Sequence, residues 1–191
     1  MGQLFNASDI AKNVGVDVTT IQSWNRLLEK NRITRTLLAY SSNFNQRVIK
    51  TPKIYFEDVG LASRLQGWSS FLPLMSGPQY GHLIENIALS EITKFFSNKG
   101  LLAEIFYLRS KDQIEIDLLI HLSDQRYIAA EIKTTPQKWT HKQHLMADSL
   151  KLNIIEKWII TPTNTEGILE GCKIISFSKI WEELNKLMPY E

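Results

Sequence analysis

The chain has 191 residues, enough for one ordinary domain or for a small unit beside a medium one. Hydrophobic residues make up 43%, which predicts a packed core, and apolar runs such as Ile116 to Leu122 are cut by charge far short of the ~20 residues of a membrane span, which excludes a spanning helix. The net charge of +2 is unevenly spread: residues 1–53 hold eight bases and three acids, a net of +5, and the remainder has a net of −3.

The segment Met1 to Phe5 has neither the basic nor the apolar region of a secretory leader, and Cys172 has no second cysteine to pair with. Both features lead to the expectation of a reducing, cytoplasmic setting with no membrane partner. A basic front and a mildly acidic back suggest two parts. The front suits phosphate contacts, and it equally suits a solvated basic surface.

Residues 1–50 read as a winged helix-turn-helix. Ser8 is placed to cap a first helix carrying Ile10, Ala11 and Val14, and Gly15 supplies the left-handed position that ends it. Thr19 or Thr20 would cap a second helix with Ile21, Trp24, Leu27 and Leu28 at the 3–4 spacing of a buried stripe. A strand from Ile33 to Tyr40, a polar turn from Ser41 to Asn45 and a second strand from Arg47 to Ile49 would form the wing. In a DNA reader the second helix enters the major groove, which would present Gln22, Asn25 and Arg26 to the duplex. Docking against a neighbouring domain is the other role open to such a unit.

The second part, 51–191, opens with Thr51-Pro52, a short strand from Lys53 to Phe56 and a small helix beginning near Asp58. Residues 67–80 hold Pro73, Gly77 and Pro78 and read as an irregular connection. From Gly81 the pattern becomes regular. It predicts a helix over His82–Phe96 and strands over Ala103–Arg109, Ile114–Leu122 and Tyr127–Thr134. A helix over His141–Leu152 and a strand over Trp158–Thr161 follow. Cys172–Phe177 would add a last strand, and Ser178 would cap a final helix through Leu187.

The polar residues within the apolar strands carry the functional signal. With a period of two, Ile116, Leu118 and Ile120 would face one way, and Glu115, Asp117 and Leu119 the other. On the next strand Ala129, Glu131 and Lys133 share a face. A short turn makes these strands antiparallel neighbours, so Asp117 and Glu131 would lie side by side. Two close carboxylates need a cation, a shared proton or a lysine. A hard divalent ion fits, with the Ile132 carbonyl as a third protein ligand and Lys133 directed at the same pocket to position water or offset charge. Glu85, on the preceding helix, could reach the same region. The plain alternative is an ion-pair cluster that holds the sheet. His141 and His144 lack further His or Cys partners for a metal site.

This arrangement resembles the PD-(D/E)XK nuclease superfamily, through Asp117, Glu131-Ile132-Lys133 and Glu85 on the helix before. A closer resemblance runs along Thr51-Pro52-Lys53-Ile54-Tyr55-Phe56-Glu57-Asp58-Val59-Gly60-Leu61, Gly81-His82-Leu83-Ile84-Glu85-Asn86, Phe106-Tyr107-Leu108-Arg109 and Glu115-Ile116-Asp117. These segments look like the uncharacterised nuclease-like domain at the C-terminus of bacterial and archaeal AAA-type P-loop ATPases, where a winged helix precedes it. Residue 116 is Ile where the superfamily name has Pro, and no Gly-x-x-x-x-Gly-Lys loop is present, so the ATPase part of that family is missing from this stretch.

The resemblance implies an α/β restriction-endonuclease-like core with a mixed sheet flanked by helices. It further implies Mg²⁺- or Mn²⁺-dependent phosphodiester hydrolysis on DNA by Glu85, Asp117, Glu131 and Lys133, with Asp117, Glu131 and Ile132 as metal ligands. Arg35, Arg109 and Lys111 join the second-helix residues as candidate nucleic-acid contacts, although strand-end surface charge explains Arg109 and Lys111 as well. An ATPase domain or subunit is the implied partner. The alternative is an inactive nucleic-acid-binding or regulatory module of such an ATPase. The sequence leaves oligomer formation open.

Overall fold

The computed structural model describes residues 2–40, 51–68 and 70–188. In chain order these form β1 (Gln3–Leu4), α1 (Ala7–Val14), α2 (Val18–Lys30), β2 (Thr34–Ala39), β3 (Lys53–Phe56), α3 (Val59–Leu65), α4 (Phe71–Met75), α5 (Tyr80–Asn98), β4 (Ile105–Arg109), β5 (Glu115–His121), β6 (Arg126–Ile132), α6 (His141–Ser149), β7 (Asn153–Thr161), β8 (Gly167–Leu169), β9 (Cys172–Ser176) and α7 (Ile180–Leu187). The two front helices end as their capping chemistry dictates. The Asn6 side chain accepts from the Ser8 and Asp9 amides, and Gly15 closes α1 at φ 78°. The first cap is therefore Asn6 where Ser8 was expected. Asp17 occupies the cap position of α2, two or three residues earlier than the threonines. The predicted wing residues 41–50 lie outside the described residues.

All nine strands join one mixed sheet in the order β1-β3-β2-β4-β5-β6-β7-β9-β8. The hairpin between β5 and β6 turns at Asp124 and Gln125, both with φ of 58°, a conformation that matches strand twist in a two-residue turn. β6 and β7 run parallel, and a parallel pair needs a crossover, here supplied by α6. A capping box between Thr140 and Gln143 starts that helix. The final strand is followed by a 3₁₀ turn, Phe177–Lys179, which puts the start of α7 beyond Ser178.

Helices cover both faces. On one, α5 (Ile84, Ala88, Ile92, Phe95) and α7 (Ile180, Leu184) pack on Leu118, Ile120, Ala130, Ile132 and Trp158. On the other, Ala147, Leu150 and Trp139 cover Ile116, Leu119, Ala129 and Ile159. Ile116 thus lies in the core of Leu119, not in that of Leu118 and Ile120. The expected alternation breaks because Phe106 pairs Leu119 while Leu108 pairs Ile116: two steps along β4 match three along β5. This one-residue bulge reverses the facing of β5 at Asp117.

The front of the chain is built into the same sheet. β2 pairs antiparallel with β3 and parallel with β4. β3 is fastened to α5 through Asn86, a polar residue only 1% exposed. Its side chain donates to the Phe56 carbonyl at 2.7 Å and accepts from the Phe56 amide at 2.8 Å. The Tyr107 hydroxyl, from β4, donates to the Thr51 carbonyl. Removing a doubly bonded buried amide strands its backbone partners without compensation. Asn86→Ala is therefore expected to lower stability by ~2–4 kcal/mol in urea unfolding; an unchanged midpoint would show that the strand ladder alone holds β3.

Candidate active site

The bulge places the site. The β5–β6 register runs from His121↔Tyr127 to Leu118↔Ala130, and one further step sets Asp117 opposite Glu131. The ladder is replaced there by a side-chain contact: the Ile132 amide donates to Asp117 Oδ2 at 2.8 Å. Asp117 is 8% exposed and Glu131 1%. Lys133 reaches back to Glu131, with Nζ–Oε2 at 2.7 Å. The other carboxylate oxygen, Glu131 Oε1, is buried and has no hydrogen bond of good geometry among the described residues, the Gln143 side chain being a looser donor to this carboxyl. A buried carboxylate oxygen without a well-placed donor is costly, and such sites are commonly completed by a ligand or ion.

Glu85 comes to the same cluster from α5. Because that helix begins at Tyr80, Glu85 sits beyond the first turn, where the helix macrodipole no longer accounts for it. Tyr55 from β3 donates to Glu85 Oε2 at 3.3 Å, and His82 Nδ1 lies 3.9 Å from Oε1. Gly2, at φ 62°, passes so close that a Cβ there would lie 2.8 Å from Glu85 Oε2. Lys53, which is not among the sequence candidates, joins the cluster. Its ammonium is 2% exposed, ion-paired to Glu115, 3.8 Å from Glu85 Oε2 and 5.2 Å from the centroid of the Tyr107 ring. Glu115 is shared with Arg109, whose Nη1 is 3.1 Å from Oε2. The available signal for Lys53 was a charge inside the short strand Lys53-Ile54-Tyr55-Phe56, on the same face as Tyr55.

Burial, reinforced by Asp117, pushes the Glu131 carboxyl up to about 8 against the pull of Lys133. Burial and Asp117 likewise push Glu85 up to about 8, with Lys53 opposing. Burial raises Asp117 too, although Lys53, Lys133 and the Ile132 amide act against it. Burial disfavours the charge on Lys53 and Lys133, but the surrounding carboxylates outweigh it and hold both lysines cationic.

The other predicted contacts lie elsewhere. Gln22 and Arg26 are exposed on α2, and Asn25 is half-buried there beside Trp24. Arg35 is engaged within the protein: Nη2 meets both Glu57 oxygens at 2.9 Å, and Nη1 donates to Thr93. Lys111 is exposed in the β4–β5 turn. His144 approaches Lys157 Nζ at 3.4 Å and Trp139. Among the described residues no set of three or more His, Cys, Asp or Glu side chains is arranged to hold a metal. A cleft of about 730 Å³, lined by Glu156, Lys157, Glu170 and Lys173, includes none of the cluster residues.

Two families of unknown function match the chain. The domain of unknown function DUF8612 matches residues 1–72, and DUF4143 matches residues 80–180. The second match covers more than half of the sequence, and the chain belongs to the DUF4143 family. Uncharacterized protein Rv2008c of Mycobacterium tuberculosis and Uncharacterized protein Mb2031c of Mycobacterium bovis are each 31% identical over 134 residues. That stretch is 70% of this chain and 29% of each relative, so the chain spans less than a third of the curated relatives it matches. No solved structure matches. The cluster straddles the two family segments: Lys53 and Tyr55 belong to the first, and Glu85, Glu115, Asp117, Glu131 and Lys133 to the second.

The raised carboxyls have a consequence for stability. Glu85 and Glu131 titrate near 8 in the fold and near 4.5 when unfolded. The folded chain holds these protons after the unfolded chain has released them, so their contribution is full below about pH 4.5 and lost as pH rises through about 8. Without divalent ions, the urea midpoint of the wild type should fall across that window, and Glu131→Gln should fall less. Parallel pH profiles for the two proteins would contradict the assignment.

Proposed function

We propose that the cluster is the metal-dependent hydrolytic site of a nuclease, cutting phosphodiester bonds in DNA. The observation that carries this reading is the buried oxygen of Glu131 that lacks a hydrogen bond of good geometry beside Asp117, with the Lys133 ammonium against the other oxygen. The element order also supports it. A helix, three antiparallel strands, a crossover helix and a parallel strand come in the order that the PD-(D/E)XK resemblance implies, with the acidic residues on the second and third strands. The donor set is all oxygen, which fits Mg²⁺ or Mn²⁺ and gives no reason for a thiolate-seeking metal.

Asp117, Glu131 and the Ile132 carbonyl would hold the ion, which when bound supplies Lewis-acid polarisation of the phosphate. Hydrolysis requires a water oxygen to bond to phosphorus as the phosphorus–oxygen bond to the leaving sugar breaks. One proton leaves the water, and one reaches the departing oxygen. Lys133 is the group placed to orient that water or to offset charge on the non-bridging oxygens. Glu85 faces Lys53 and Tyr55, so its support of the reacting groups would be indirect. The front helices, read as a winged helix, would add duplex contacts through Gln22, Asn25 and Arg26, and Arg109 and Lys111 would approach phosphates near the site. An ATPase domain or subunit would be the partner, a reading to which the greater length of the relatives lends room.

A second reading is supported by the same lysines. Lys133 and Lys53 already pair with the carboxylates, as expected of an inactive nucleic-acid-binding or regulatory module whose ion pairs only hold the sheet. Plasmid nicking with Mg²⁺ or Mn²⁺ separates the two. The hydrolytic reading expects turnover that falls by about 100-fold or more in Lys133→Ala, with DNA binding retained. DNA binding without nicking under either ion supports the inactive module.

A further inference from the structure

Four carboxylates meet in this cluster: Glu85, Glu115, Asp117 and Glu131. Two ammonium groups divide them. Lys133 sits on Glu131 at 2.7 Å, while Lys53 pairs with Glu115 and lies 3.8 Å from Glu85. Lys133 is partly open, with its side chain 32% exposed, whereas that of Lys53 is 2% exposed. Lys53 is also held in place. Its strand is paired to β2 on one side and β1 on the other, clamped to α5 by Asn86, and its Nζ lies over the Tyr107 ring. A lysine so confined has no alternative position into which it could swing to admit an ion.

We propose that Lys53 is a built-in counter-cation that fills the Glu85–Glu115 half of the cluster and restricts the site to one divalent ion, held on the Asp117–Glu131 half. The inference rests on the metal reading given above. Charge supports it: with the carboxylates ionised, as ion binding requires, Lys53 and Arg109 offset Glu85 and Glu115, whereas Lys133 alone faces Asp117 and Glu131, so the negative excess lies on that half. A second ion would leave a buried excess of positive charge, which the interior penalises. Geometry supports it as well, because Glu131 Oε1 is the one fully buried carboxylate oxygen without a hydrogen bond of good geometry among the described cluster residues, and it lies on the far half from Lys53. The segment that matches the first family therefore completes the site of the second by supplying this charge. Lys53 is a positioning residue: it acts through the carboxylates and does not touch the reacting atoms.

The test is a count of Mn²⁺ bound to the full chain, by calorimetry and by the loss of the free-ion electron paramagnetic resonance signal. The wild type is expected to bind one ion and Lys53→Met two. Lys53→Arg, which keeps the charge, should bind one. Equal counts in the wild type and Lys53→Met overturn the inference whatever that count is. A wild type that binds none while Lys53→Met binds one would sink the metal reading but keep the counter-cation role. A second arm avoids the risk that Lys53→Met does not fold. Glu85→Gln in the wild-type background should keep one ion with affinity within about threefold, while Glu131→Gln should weaken it by about tenfold or more. Loss of binding in Glu85→Gln would place the ion on the Lys53 half and overturn the proposal.

Discussion

A carboxylate on an interior strand of a sheet is the constraint around which this molecule is arranged. Glu131 lies on β6, between β5 and β7, with helices over both faces. Water cannot solvate it there, so every compensation has to come from neighbouring residues. Lys133 supplies one, two residues along the same face. Asp117 supplies the opposite of a compensation: it adds a second negative charge across the strand pair. A fold aiming only at stability would not set these two together. Burial raises both carboxyls, and the nearby Asp117 raises that of Glu131 further.

The bulge in β5 is the mechanical means of that arrangement. A regular strand would align Asp117 with Leu119 on one face. The extra residue allows Ile116 and Leu119 to enter the core beneath α6, while Leu118 and Ile120 enter the core beneath α5. Asp117 is left at the reversal, where its carboxylate takes the amide of Ile132 in place of a strand bond. The ladder's loss at this point is therefore compensated by the acidic side chain itself. The same residue fixes the end of the β5–β6 pairing and holds the backbone from which Glu131 and Lys133 project.

A short turn was enough to bring Asp117 and Glu131 side by side from the sequence, because β5 and β6 are consecutive and their pairing is local, and period two set Lys133 on the face of Glu131. The long helix carrying Glu85 was legible for the same reason, though its start at Tyr80 was not, since Gly77 and Pro78 mask the boundary. The bulge left no trace, because neither Gly nor Pro marks it and the residues on either side are all apolar. The charge of Lys53 inside a strand was a local signal, but its partner was beyond local reasoning. Its strand is four residues long, and its partner Glu115 lies 62 positions away. Only the sheet order, which threads β2 and β3 beside β4, makes them neighbours. Caps shifted by two residues, as from Ser8 to Asn6, because several adjacent side chains can accept the same amides.

The join between the front and the rest of the chain bears on how such a site could be controlled. β2 is the hinge of the arrangement: it pairs with β3 on one edge and with β4 on the other. α2 precedes it, and Thr36 on β2 donates to Glu29 on α2. A displacement of α2 would therefore be felt by β2, then by β3, and then by the ammonium of Lys53. Asn86 and Tyr107 close the same path from the other side. Packed elements move as units more readily than they deform. Lys53 thus reaches the acidic cluster from a strand tied through β2 to α2, outside the segment that carries the four carboxylates. The front segment is in this sense part of the site's electrostatics, not an appendage to it.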